Sequence, residues 1–226
     1  MKAEIPGLKN QVILRFIMVP IFMGLMLFLP AGSLDYWQAW IYCSVLFIPV
    51  FFVVFYFLKY DPELLERRMR MREKEEKQKT IQILGIVIFF SGFIMCGLDY
   101  RYHWSNVPAY LVIAANAIVL SGYIFVFLVL RENSYASRII EVEKGQKVIT
   151  TGPYAIVRHP MYLGVLVMYL FTPLALGSYR AIIFFLPLIP LLVSRLLNEE
   201  EVLLKELPGY KEYCQKTRYH LIPFIY

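Results

Sequence analysis

Charged residues are scarce in this sequence. They make up only 18% of its 226 residues, whereas hydrophobic residues make up 59%, and the mean hydropathy is +0.56. A soluble helix needs a polar face along its whole length, and long unbroken apolar runs leave no room for one. This composition therefore excludes an ordinary soluble domain and predicts that most of the chain lies in a membrane.

Cysteine is scarce as well, and its positions exclude two kinds of site. Only Cys43, Cys96 and Cys214 are present, without metal-ligand spacing, and the first two lie inside apolar runs. Neither a disulfide framework nor a metal site is predicted. The net charge of +6 does not indicate a nucleic-acid partner, because the cations lie in short segments between apolar runs, as they do in membrane loops.

Six apolar segments alternate with polar ones. They cover residues 12–30, 37–58, 81–98, 107–130, 161–176 and 181–197. The first four are long enough to span a membrane as helices, whereas the last two are shorter and contain Pro173, Pro187 and Pro190, which predicts a tight, kinked hairpin. The predicted fold is all-α: a polytopic integral membrane helical bundle of five to six transmembrane helices, with a C-terminal cytoplasmic helix and tail.

Lysine and arginine are concentrated in two of the polar segments. Eight of them lie within residues 59–79 and five within residues 131–158, while the turns on the other side of the predicted helices carry one or none. Because cytoplasmic loops are enriched in these cations, both segments, and with them both chain termini, are predicted to be cytoplasmic. Residues 62–79 mix both charge signs, which predicts a solvated interfacial helix with i,i+4 ion pairs.

The C-terminal part of the chain carries ionisable residues directly beside apolar helices, where each is a candidate for function. A Gly-Pro-Tyr turn precedes Arg158, His159 and Pro160, and the last apolar segment ends near Arg195 and Glu199. Pro160 suits a first helical turn, so Arg158 and His159 are predicted to lie at a helix N-terminus, which favours an anionic group. The structural alternatives are snorkelling or capping for the first cluster and an i,i+4 ion pair for the second.

The sequence resembles the isoprenylcysteine carboxyl methyltransferase family in three motifs, which are Gly152-Pro153-Tyr154, Arg158-His159-Pro160-x-Tyr162-x-Gly164 and Arg195-x-x-x-Glu199-Glu200-x-x-Leu203. Phospholipid methyltransferases are similar in the same region. The resemblance divides the chain in two. Residues 1–132 form N-terminal transmembrane helices with a cytoplasmic charged connector at 59–80, and residues 133–226 form a methyltransferase-like catalytic region.

The resemblance implies an integral membrane methyltransferase that uses S-adenosylmethionine without a Rossmann domain, which agrees with the absence of a Gly-rich dinucleotide loop. It assigns cofactor binding to Glu141, Gln146, Lys147, Val148, Ile149, Tyr154, His159, Pro160, Met161, Tyr162 and Glu199. It places Arg195 on the substrate side and makes Arg195 and Glu199 the catalytic pair. Eukaryotic members carry His at the position of Gln146 and commonly Ser at that of Met161, so backbone contacts are expected there.

Arg195 favours a carboxylate as the methyl acceptor. A carboxylate is already nucleophilic and can be oriented by a guanidinium, whereas an amine would need deprotonation and would be repelled. The predicted reaction is carboxyl O-methylation of an isoprenylcysteine-like carboxylate, on a lipophilic or prenylated small-molecule or protein substrate in contact with membrane lipids. Phosphatidylethanolamine N-methylation is the first alternative. The sequence indicates no oligomeric state.

The tail supports a second alternative. Residues 213–226 also resemble the end of integral-membrane sterol reductases, which use NADPH. The tail is rich in aromatic and apolar residues, and this composition is compatible with folding over a cofactor or onto the bilayer surface. A reductase is therefore kept beside the two methyltransferase hypotheses.

Overall fold

All six apolar segments form helices in the computed structural model, which describes residues 7–70, 73 and 76–225. The helices are α1 (Leu8–Ala31), α2 (Trp37–Tyr60), α3 (Pro62–Met69), α4 (Glu76–Tyr102), α5 (Ala109–Glu132), α6 (Pro160–Ala175), α7 (Ile182–Phe185), α8 (Leu188–Glu206) and α9 (Tyr210–Lys216). A 3-10 turn at Gly152–Ala155 precedes α6. The described residues contain no strand, so the predicted all-α fold is confirmed.

Five helical stretches are long and apolar enough to span a membrane. They are α1, α2, α5, the Gln78–Tyr102 part of α4, and the stretch Ile182–Glu206 that contains α7 and α8. The apolar α6 has only 16 residues, which makes it about 24 Å long, shorter than a hydrocarbon core of roughly 30 Å. The chain is therefore a multi-pass integral membrane protein, with the five to six spans that the sequence predicts.

The predicted kinked hairpin is formed by α6, α7 and α8. The chain reverses after α6 at Gly177, whose φ of +75° lies in the left-handed region that glycine adopts without strain. Pro187 stands between α7 and α8, where its missing N–H ends one helix and its fixed φ suits the start of the next. The hairpin brings α8 back beside the start of α6.

Two glycines allow α5 and α6 to pack against each other closely. A Cβ added to Gly164 would lie 2.6 Å from Val126 Cγ2, and one added to Gly122 would lie 2.8 Å from Met168 Cγ. Small residues at such a contact let helix backbones approach each other, which is a main source of stability between helices in lipid. The contact fixes the position of α6, whose first turns line the candidate site.

Buried polar side chains join the connections at the end of the bundle away from the candidate site. Tyr36 donates a hydrogen bond of 2.6 Å to the Leu176 carbonyl. Asp99 accepts hydrogen bonds from the Ser105 hydroxyl, at 2.7 Å, and from the Ser178 hydroxyl. A buried carboxylate at the end of a membrane helix needs such hydrogen-bond donors. Together, the hydrogen bonds of Tyr36 and Asp99 hold the α1–α2, α4–α5 and α6–α7 connections in place.

The environment of α3, in the charged connector, differs in part from the prediction. The i,i+4 ion pairs are present, with 3.3 Å between Arg67 and Glu63 and 3.0 Å between Arg70 and Glu66. The helix is not solvated all round, because Leu64 is fully buried and the arginines also bind the segment after α5. Residues 71, 72, 74 and 75 of the predicted helix lie outside the described residues.

Candidate active site

A cavity of about 380 Å³ lies at the end of the bundle where the charged connector and the C-terminal tail meet. Its wall is formed mainly by residues 133–159, called the α5–α6 loop below, and by α6, α8 and α9, with one residue each from α3 and α4. The volume is within the range of small-molecule sites. Every site residue predicted from the sequence lines it, namely Glu141, Gln146, Lys147, Val148, Ile149, Tyr154, His159, Pro160, Met161, Tyr162, Arg195 and Glu199.

A hydrogen-bonded chain joins the two predicted catalytic residues. The Arg195 Nε atom donates to the Tyr162 hydroxyl at 3.1 Å, and that hydroxyl donates to Glu199 Oε2 at 2.5 Å. Arg195 and Glu199 are one turn apart on α8, while Tyr162 comes from α6. The two residues are therefore linked through Tyr162, in place of the direct i,i+4 ion pair that was the structural alternative.

Arg195 is also anchored on its other side. Its guanidinium donates to Gln78 Oε1 at 3.0 Å and to the Arg138 carbonyl at 2.7 Å, and it lies 3.8 Å from the Glu73 carboxylate. These partners come from α4, the α5–α6 loop and the connector. Because charge-assisted bonds fix the plane of a guanidinium, Arg195 is held at the junction of these segments with α6.

His159 lies at the N-terminal end of α6, as the sequence predicts, because Pro160 opens the helix. Its side chain makes no capping hydrogen bond. Only 5% of the residue is exposed, and burial lowers the pKa of its imidazole to about 4, an effect that Glu200 opposes. Its Nε2 atom is buried without a partner among the described residues, so a ligand in the cavity can satisfy it.

Acidification is expected to destabilise the protein through His159. The imidazole has its ordinary pKa of 6.5 in the unfolded chain but a pKa of about 4 in the folded one. Between these values the unfolded state binds the extra proton, so stability falls as the pH drops through this window, by on the order of 2 to 3 kcal/mol. Unfolding in detergent at a series of pH values measures the slope. His159→Gln should flatten it, and an equally steep slope in the variant would contradict the assignment.

Tyr154 connects the α5–α6 loop to α9. Its hydroxyl accepts a hydrogen bond from Asn133 Nδ2 at 3.0 Å, and its carbonyl accepts one from the Tyr213 hydroxyl at 2.7 Å. Burial raises the pKa of Tyr154 to about 12, although the hydrogen bond from Asn133 lowers it. The predicted Gly-Pro turn is confirmed, with Gly152 in the left-handed region at φ +57°.

The charged connector holds the α5–α6 loop in place. Arg70 pairs with Glu141 at 2.5 Å and also with Glu143. Glu141 lines the cavity, and its carboxylate is bound by Arg70, the residue that follows α3. Gln146, which departs from the family pattern, accepts a hydrogen bond of 2.9 Å from the Glu143 N–H through its side chain and so closes a turn of the loop.

The tail folds back over the start of α6. The Arg158 N–H donates to the Tyr219 carbonyl and the His159 N–H donates to the His220 carbonyl, both at 2.9 Å. Leu221 follows and is buried in a cluster with side chains of α6 and α8. This part of the tail therefore packs against the start of α6 and against α8, beside the candidate site.

A buried ion cluster joins the tail to α8. The Glu200 carboxylate lies 3.0 Å from Arg158 Nε and 2.8 Å from His220 Nε2, and only 7% of Glu200 is exposed. Arg158 also contacts the His220 ring directly. The sequence marks Arg158 and Glu200 as neighbours of the site but does not predict this cluster, because His220 is 62 residues away from Arg158.

The cavity also contains residues that sequence reasoning missed. Arg68 of α3, Arg138 of the α5–α6 loop and Tyr169 of α6 line it. Arg68 donates to the Met161 sulfur at 3.7 Å, and burial, followed by Arg138, lowers its pKa. The sequence indicates both arginines only as loop cations. Tyr169 could have been found, because it lies two helical turns beyond Tyr162 and hence on the same face.

Part of the sequence that forms this site matches a known protein family. Residues 112–205 match the model described as the isoprenylcysteine carboxyl methyltransferase (ICMT) family. Among curated proteins, the Delta(14)-sterol reductase TM7SF2 of Mus musculus is 33% identical over 90 residues, a match that covers 38% of this chain and 22% of that protein. The chain thus spans about a fifth of the length of this relative.

A solved structure has a similar fold over nearly the whole chain. It is that of the eukaryotic intramembrane Ras methyltransferase ICMT without a monobody, with a TM-score of 0.53 and 19% sequence identity. The match covers 97% of this chain and 83% of that one. At this identity the likeness shows the membrane fold alone. The match of residues 112–205 to the family model agrees with the family resemblance that the sequence indicates.

Proposed function

We propose, from the match of residues 112–205 to the ICMT family, that this membrane protein transfers a methyl group from S-adenosylmethionine to the carboxylate of an isoprenylcysteine-like substrate. One observation carries the proposal. The α5–α6 loop, the start of α6 and the Arg195–Tyr162–Glu199 chain surround the same cavity. These are the segments to which the family resemblance assigns the cofactor and the acceptor.

The cavity residues fit S-adenosylmethionine in charge and polarity. The cofactor is cationic at sulfur, and the Glu199 carboxylate and the rings of Tyr154 and Tyr162 complement such a charge. His159 Nε2 and the Tyr210 hydroxyl are buried without partners among the described residues and suit its polar groups. The apolar residues suited to its adenine ring are Val148, Ile149, Leu203 and Leu207.

The protein's chemical task in this reaction is alignment. When bound, the cofactor supplies an electrophilic methyl group on a sulfonium. A carboxylate acceptor needs no general base, so the enzyme orients it, excludes water and compensates the changing charge. Arg195 supplies positive charge on the acceptor side, and through Tyr162 it fixes the orientation of Glu199 on the cofactor side.

The inner part of the cavity suits a lipophilic chain. Val165, Tyr169 and Leu192 line it. Tyr169 is seven residues beyond Tyr162 on α6, so this part lies about 10 Å deeper in the bundle than the Arg195–Tyr162–Glu199 chain. A largely apolar wall at that depth favours a prenyl chain over a small hydrophilic acceptor.

The cavity is assigned to the cytoplasmic side of the membrane. The positive-inside rule supports this side, because α3 and the α5–α6 loop are rich in Lys and Arg and both lie at the cavity. Six crossings of the membrane would then place both chain ends on the same side. Residues 1–6 and 226, which include both termini, lie outside the described residues.

Methyl transfer from radiolabelled S-adenosylmethionine by the purified, detergent-solubilised protein tests the proposal. A farnesylated cysteine derivative with a free carboxylate and phosphatidylethanolamine are offered separately as acceptors. Label on the farnesylated acid in a base-labile form is expected, because base hydrolyses methyl esters. Transfer to phosphatidylethanolamine alone would select N-methylation, and a protein that binds no S-adenosylmethionine would overturn the proposal.

Glu199→Gln is expected to weaken the binding of S-adenosylmethionine by roughly 10- to 100-fold while the protein stays folded. Gln keeps the shape of the side chain and can still accept the bond from Tyr162, but it lacks the charge that complements a sulfonium. Calorimetric titration measures the dissociation constant. Glu201→Gln, at an exposed neighbouring position, is the matched control and should bind like the wild type. Equal affinities for both variants would remove Glu199 from the cofactor site.

A reductase is the second candidate because of one comparison. One curated relative, which matches over 90 residues, is named as a Delta(14)-sterol reductase. Arginines in the cavity would also suit the phosphates of NADPH. Titration of one preparation with S-adenosylmethionine and with NADPH separates the candidates, since binding of NADPH alone would favour the reductase.

A further inference from the structure

Arg138 lines the cavity without an anionic partner among the residues that the structure describes. Its backbone is fixed, because its N–H donates to the Arg67 carbonyl at 3.5 Å and its carbonyl accepts from Arg195 at 2.7 Å. Its guanidinium has no hydrogen bond or ion pair with any residue that the structure describes. Burial lowers the pKa of Arg138, Arg15 and Arg195 lower it further, and Tyr169 opposes them. The backbone is thus held while the charged group stays available.

Arg195 is in the opposite situation. Its guanidinium donates to Tyr162, Gln78 and the Arg138 carbonyl, and the Glu73 carboxylate lies 3.8 Å away. A guanidinium has five N–H groups, so most of those on Arg195 are already engaged. Its charge is also partly compensated by Glu73. An incoming carboxylate gains more from a cation that has no counterion.

The position of Arg138 suits the end of a lipid chain. It lines the same cavity as Arg195, and its carbonyl bonds the Arg195 guanidinium, so the two cations are neighbours. Tyr169, Val165 and Leu192 line the inner, largely apolar part of the same cavity. With a prenyl chain bound in that part, the carboxylate of the cysteine attached to it would lie beside the two arginines.

We infer that Arg138 binds the carboxylate of the methyl acceptor and thereby selects anionic acceptors, while Arg195 positions that carboxylate for the reaction. The inference rests on the proposed function and adds a residue that the family motifs do not include. The planar guanidinium matches a carboxylate in a bidentate pair, which gives direction as well as affinity. Arg138 is therefore a determinant of substrate specificity for the same reaction.

Arg138→Gln tests the inference through the split between KM and kcat. The KM for the farnesylated cysteine acid is expected to rise by roughly 10- to 100-fold, with a much smaller change in kcat and in the dissociation constant of S-adenosylmethionine. Arg138→Lys keeps the charge but not the bidentate geometry, so its KM should lie between those of the wild type and Arg138→Gln. The neutral methyl ester of the acceptor, used as a competitive inhibitor, should bind the wild type and Arg138→Gln equally, because it has no carboxylate.

Arg131→Gln is the matched control, since Arg131 is an exposed cation near the end of α5 that does not line the cavity. Its KM should equal that of the wild type. A wild-type KM in Arg138→Gln, or an equal rise in Arg131→Gln, would overturn the inference and leave the proposed function standing. Absence of methyl transfer to any prenylated acid by the wild type would overturn the proposed function and the inference together.

Discussion

Arg195→Ala is expected to reduce the turnover number by roughly 100- to 1000-fold, the scale seen when a fixed donor is removed from a reaction centre. The substitution removes positive charge on the acceptor side, and it also releases the Tyr162 hydroxyl, the Gln78 amide and the Arg138 carbonyl. The dissociation constant of S-adenosylmethionine should change much less than the turnover number, because the Glu199 side chain on the cofactor side is itself unaltered. Methyl transfer at saturating cofactor and acceptor, beside calorimetric titration of the cofactor, measures both quantities.

Arg195→Lys separates the charge from the geometry. Lysine keeps the positive charge, but its ammonium cannot donate in one plane to acceptors on α4, α6 and the α5–α6 loop. It should therefore recover only a small part of the lost turnover. Full activity in Arg195→Lys would mean that charge alone is required, and wild-type turnover in Arg195→Ala would exclude Arg195 from the reaction centre.

The helices could be predicted because a membrane requires apolar length and internally paired backbone groups. Their ends could not always be predicted from hydropathy. The apolar segment starting at 81 belongs to α4, which begins at Glu76. The helix begins before the apolar run because the Gln78 side chain, which is buried at this end, accepts a hydrogen bond from Arg195 of α8. The sequence predicts residues 62–79 as one interfacial helix, whereas in the structure residues 76–79 form the first turn of α4.

The candidate site could be predicted where its residues are close together in sequence. Arg158, His159 and Pro160 carry a recognisable turn and helix start, and the structure places them at the cavity. Arg138 could not be distinguished from other loop cations, because what sets it apart is the pair of backbone hydrogen bonds to Arg67 and Arg195. Those partners belong to α3 and α8, and no local pattern reports such distant packing.

Glu200→Ala is expected to destabilise the folded protein by about 3 to 5 kcal/mol, because it leaves a buried charge without its partner. The Arg158 side chain is only 9% exposed and lies 3.0 Å from the Glu200 carboxylate, which His220 also contacts. Loss of the carboxylate should release the tail from the start of α6 and weaken cofactor binding as a consequence. Denaturant unfolding in mixed micelles measures the stability, and limited proteolysis followed by mass spectrometry locates cleavage after residue 216.

Arg158→Met combined with Glu200→Ala distinguishes a buried ion pair from a merely tight contact. Removing both charges eliminates the uncompensated guanidinium, so the double variant should be more stable than Glu200→Ala alone. Glu201→Ala, at the exposed neighbouring position, should change the stability by no more than about 0.5 kcal/mol. If Glu200→Ala were as stable as Glu201→Ala, the ion cluster would have no structural role. The backbone hydrogen bonds of Tyr219 and His220, together with the buried Leu221, would then be sufficient to hold the tail.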